Sequence, residues 1–186
     1  MLVSQLAHNN SLLAPSADNS EVRFLHLVMD TIAIRRWKLQ SDPEATRAAF
    51  SNVAVGSPEA CGCSDCLNFI AARAQAYPAE ALAILELLGI DSTKESEIWH
   101  THRDESGLHH YGGFFHFVGA IETGKDSMIM VNDHHGTYDF ERVGEDFDFG
   151  FTSHIALVPT AFGDHPIVQL EFHTKVPWML NTPESN

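Results

Sequence analysis

The chain has 186 residues, 44% of them hydrophobic, and sets 25 Asp and Glu against 11 Lys and Arg, a formal net charge of −14. A surface that acidic repels phosphate backbones and anionic lipid heads, so neither nucleic acid nor a membrane is an expected partner. Cations, neutral ligands or a basic protein partner fit it better, and the length with its 12 phenylalanines suits one sizeable core.

Residues 1–20, rich in Asn and Ser and without a basic n-region, read as a flexible leader rather than a signal peptide. Residues 21–180 read as a single domain and 181–186 as a flexible tail. No stretch approaches the roughly twenty apolar residues of a bilayer span. The expected compartment is cytoplasmic, where an odd, clustered set of three cysteines stays reduced and is not a disulfide framework.

In chain order, Glu21–Met29 reads as a first strand and Thr31–Leu39 as a second, with a bend at Asp30. Asp42-Pro43 is a helix start, an N-cap followed by proline at the first helical position, and the helix runs through Phe50. Residues 52–60, with Gly56 and Pro58, read as a loop. Ser64 or Asp65 caps the next helix, Tyr77-Pro78 closes it, and Ala79–Leu88 is a further helix with Gly89 at its C-terminal cap. Residues 61–89 thus form a helical hairpin set into a β-rich chain. Beyond Asp91 the period becomes two. Glu97–His102 reads as a strand with Ile98, His100 and His102 on one face, and Leu108–Glu122 as one long strand or a pair broken at Gly112-Gly113. Ser127–Val131, Thr137–Val143, Phe149–Val158 and Ile167–Val176 follow, separated by short turns. Connections this short favour hairpins. The expected fold is therefore α+β, a mainly antiparallel, sandwich-like sheet with an inserted helical hairpin.

The chemistry concentrates at Cys61-Gly62-Cys63-Ser64-Asp65-Cys66. Thiolates at this spacing converge on one cation if Gly62 lets the backbone turn sharply, and Cys66 falls in a first helical turn, where free amides and the positive dipole end favour a thiolate. Zinc is the expected metal, and it asks for a fourth ligand, for which His100, His102 and His116 are the candidates. The same residues admit two other readings: small reduced thiols packed between helix and sheet, or a Cys63/Cys66 redox pair at a helix start.

Cys61–Phe69, then Leu87–Asp91 with Lys94-Glu95, then Tyr111-Gly112-Gly113-Phe114-Phe115-His116-Phe117-Val118-Gly119 together resemble a bacterial family of uncharacterised proteins, over roughly the middle third of the chain. That resemblance implies no activity; it implies that the cysteine run and the His116 strand belong together.

Twelve histidines form the second pool of ligands. His100-x-His102 resembles the paired imidazoles of cupin barrels, but Glu105 follows too soon and the second cupin motif is unmatched at Pro159–His165. His109-His110 and His134-His135 put neighbours on opposite faces if extended. No phosphate loop, dinucleotide fingerprint or nucleophile elbow is present in the sequence. The expectation is a non-catalytic protein with a structural zinc or thiol cluster and an acidic interaction surface. Its rivals are a metal-dependent enzyme using His100 and His102, and a thiol oxidoreductase.

Overall fold

The computed structural model describes residues 29–132, 135–182 and 184. The expected leader, all but Met29 of the expected first strand, His134, and tail residues 183, 185 and 186 lie outside them. Among the described residues, nine strands and four α-helices follow one another as β1 (Asp30–Ile34), β2 (Trp37–Ser41), α1 (Pro43–Ser51), α2 (Ser57–Cys61), α3 (Ser64–Ala76), α4 (Ala79–Leu87), β3 (Glu97–Arg103), β4 (His109–Thr123), β5 (Met128–Asn132), β6 (His135–Tyr138), β7 (Glu141–Arg142), β8 (Phe147–Thr152) and β9 (Ile167–Val176). The fold is α+β: a seven-stranded antiparallel sheet with helices on one face, and a separate β5–β6 hairpin.

The middle of the sheet is β4. One of its edges carries β9 along the whole run His109–Val118. Its other edge is divided, with β3 along His109–Phe114 and β2 along Gly119–Thr123. Between these two partners the edge is closed by the helical segment. The Val118 N–H donates to Thr46 Oγ1 (3.0 Å), Val118 O accepts from Asp42 N–H (2.9 Å), and Phe114 O accepts from Ser96 N–H (2.9 Å).

Alternation along β4 and β9 defines two faces. Tyr111, Phe115 and Phe117, with Leu170 and Phe172, meet the helices, where Tyr77 lies edge-on to Phe172 and Phe69 against Tyr111. His110, Phe114 and His116, with Gln169, Glu171 and His173, point to the other face. Part of that face is covered: Phe162 packs on His116 and Tyr138 OH donates to Glu171.

Several expectations change. The single strand over Thr31–Leu39 is a hairpin: Arg35, at φ 52°, and Arg36 turn the chain between β1 and β2. The loop expected at 52–60 holds α2, with Pro58 in its first turn, while the helical hairpin expected within 61–89 stands as α3 and α4. Gly112-Gly113 does not break β4; both pair with β9. Phe149–Val158 is strand only to Thr152, and Thr137–Val143 is divided between β6 and β7. Among the described residues no helix is long and apolar enough to cross a membrane.

Candidate metal centre

Helix α2 ends at Cys61 because Gly62 takes the left-handed conformation (φ 65°) that closes a helix, its N–H donating to Pro58 O at 3.1 Å. Cys63 then adopts an extended conformation as the N-cap of α3, its carbonyl accepting the Leu67 N–H at 2.8 Å. Cys66 lies in the first turn that follows. These three conformations bring the sulfurs together: all lie within 4.8 Å of one another. Tetrahedral zinc with Zn–S bonds near 2.3 Å separates its sulfurs by about 3.8 Å, so closure requires shifts of an ångström or less.

The three thiols are not equivalent. Cys61 and Cys63 are exposed and Cys66 is buried. The Cys66 amide, directed at the Cys63 sulfur, holds that thiol below its usual pKa. Burial, followed by the two neighbouring thiols, pushes Cys66 well above it. Of these two, Cys63 is therefore the easier thiol to ionise. A cation would be needed to ionise Cys66 as well.

The scaffold behind the cluster is tied on two sides. Tyr111 OH donates to Asp65 O (3.0 Å) and accepts from Asn68 Nδ2 (3.3 Å), while Asn68 Oδ1 accepts the Met179 N–H (2.6 Å). Arg73 on α3 donates to both oxygens of Glu95 (3.0 and 2.9 Å) and pairs with Glu59 of α2 (2.7 Å), and Tyr77 OH adds a bond to Glu95 at 2.8 Å. Glu95 is 1% exposed. This buried charge cluster fixes α2 against α3, and so sets where Cys61 stands relative to Cys63 and Cys66.

The histidines expected to supply a fourth ligand do not join the cluster. β3 carries a bulge between His100 and His102: His100 pairs with Tyr111, but His102 pairs with His110. The extra residue, Thr101, reverses the alternation. His100 consequently lies on the helix face, 4.0 Å from Asp65 Oδ2, and His102 on the other, stacked on His110 at 4.1 Å. The expectation that both point to one face is wrong, and with it goes a shared His100/His102 site. His116 is buried on the face away from the helices. Its Nδ1 accepts from Ser96 Oγ (2.9 Å) and its Nε2 donates to Gln169 Oε1 (3.0 Å), so neither nitrogen is open to a metal.

Two other histidine arrangements went unread in the sequence. His100 Nε2 lies 3.1 Å from His109 Nδ1 on the helix face, and His110 Nδ1 lies 3.1 Å from His173 Nε2 on the opposite face. Both cross strands, so no local spacing announces them. The one cue was the polar alternation Gln169, Glu171, His173, Lys175 in β9. No family model, no curated protein and no solved structure matches the chain.

Proposed function

We propose that Cys61, Cys63 and Cys66 hold one zinc ion that locks α2 onto the start of α3, in a protein that works without catalysis through its acidic surface on a protein partner. The observation that carries this reading is the convergence of three sulfurs at a glycine-closed helix junction. Among the described residues no fourth side-chain atom joins the group, which leaves that position to water or to a group from a partner. A groove of about 510 Å³ lies between α1 and α4, walled by Arg47, Phe50, Glu86 and Lys94 rather than by the cysteines.

Metal analysis of the untagged protein tests the reading. One zinc per chain is expected, lost in Cys63→Ser and kept in His100→Ala; the reverse pattern refutes it. The exposed, low-pKa Cys63 beside the buried, high-pKa Cys66 favours a second reading, a thiol oxidoreductase, since that asymmetry suits an attacking and a resolving thiol. It requires a Cys63–Cys66 disulfide after mild oxidation, and alkylation followed by mass analysis decides.

A further inference from the structure

We infer that His110 and His173 form a second cation seat, which takes one borderline divalent metal ion between His110 Nδ1 and His173 Nε2. The two residues are diagonal neighbours on β4 and β9, since His110 pairs with Lys175 and His173 with Gly112. Gly112 places no side chain between the rings, and the Trp99 indole occupies the space where its Cβ would stand.

The outer nitrogens of both rings face carboxylates. His110 Nε2 donates to Asp104 Oδ2 at 2.9 Å, and His173 Nδ1 lies 3.8 Å from Asp148 Oδ2. Asp104 is held in place by Ser106, which donates to its Oδ1 through both N–H and Oγ. Asp148 Oδ1 is held by Arg142 Nε at 3.3 Å. Because His110 Nε2 donates to Asp104, His110 Nδ1 presents a lone pair to His173 Nε2, 3.1 Å away. A metal ion seated there takes the place of the proton that His173 Nε2 otherwise shares with it. Two metal–nitrogen bonds of about 2.1 Å meeting at a right angle span about 3.0 Å, and carboxylate–imidazole–metal relays are how proteins orient such ligands.

The surroundings suit a cation. Lys175, the nearest competing ammonium, is drawn to Asp146 at 3.6 Å. Side-chain exposures of 12% for His110 and 28% for His173 leave room for water ligands, and the exposed ring of His102 stacks on His110 at 4.1 Å. Imidazole donors of this kind select zinc, nickel or copper over magnesium or calcium.

The test is a Zn²⁺ titration of the full chain by calorimetry, with ¹⁵N spectra of the imidazoles. Expected is a second equivalent beyond that of the cysteines, with shifts at His110 Nδ1 and His173 Nε2. His173→Gln should abolish it, and Asp148→Asn, which keeps both ligands, should weaken it about tenfold or more. A parallel Co²⁺ titration reads the cysteine cluster separately through sulfur-to-cobalt charge transfer, which both variants should leave unchanged. A second equivalent that survives His173→Gln overturns the proposal. So does its absence in the wild type, with the two rings instead sharing a proton. Loss of the charge-transfer band with the imidazole shifts intact would remove the cysteine reading alone.

Discussion

Replacing His116 with glutamine removes a titration that the fold suppresses, and its effect can be worked from the site. The ring is fully buried and hydrogen-bonded in its neutral form, and burial lowers its pKa to about 4. In the unfolded chain a histidine titrates near 6.5. Between those values the unfolded state binds the proton and the folded state does not, so stability is complete above about pH 6.5 and falls as pH drops toward 4. At 1.36 kcal/mol per pKa unit the full loss is about 3 kcal/mol, of which about 2 kcal/mol is reached between pH 7 and pH 5. Urea unfolding of wild type and His116→Gln at both pH values, in chelator, isolates the contribution. His100 and His173, whose pKa values are also lowered, are common to both proteins and cancel. With a urea slope of about 2 kcal/mol per molar, the wild-type midpoint should fall about 1 M further than the variant's. Equal falls in the two proteins would refute the assignment of a neutral, buried ring.

Two further outcomes bear on the cysteine scaffold. Glu95→Gln leaves Arg73 with Glu59 as its remaining carboxylate, so the loss should sit at or below the low end for breaking a buried pair, about 2–3 kcal/mol, or about 5–10 °C in melting temperature by circular dichroism. Loss of zinc affinity should accompany it. Gly62→Ala meets no neighbouring atom within 4 Å, so its cost is the left-handed backbone alone, about 1 kcal/mol, measured by denaturant unfolding with zinc removed. A much larger loss would mean that the turn is held by contacts rather than by conformation.

How much of this was legible in the sequence depends on the range of the interactions involved. The helix start at Asp42-Pro43, the break at Tyr77-Pro78 and the period-two run of β9 are local, and they stand where the residues place them. So does the convergence of the cysteines, because Gly62 and the α3 N-terminus are neighbours in the chain. The Arg35-Arg36 turn was missed because neither residue is a usual turn former and a positive φ is rare for arginine. The bulge at Thr101 leaves no local mark, yet it decides which face each histidine takes. The His110–His173 and His100–His109 contacts depend on strand order, which periodicity does not give.

The divided edge of β4 has a topological consequence. The chain leaves that edge at Asp42 and rejoins it at Ser96, and the carbonyls that receive those two N–H groups belong to Val118 and Phe114. Four residues of strand span about 13 Å, so the whole helical excursion, cysteines included, begins and ends only that far apart. A short linker could bridge it. What resists excision is the apolar lining that Phe69, Tyr77 and Leu85 press onto the strands, so the segment is a graft by connectivity and an inseparable half of the interior by energy.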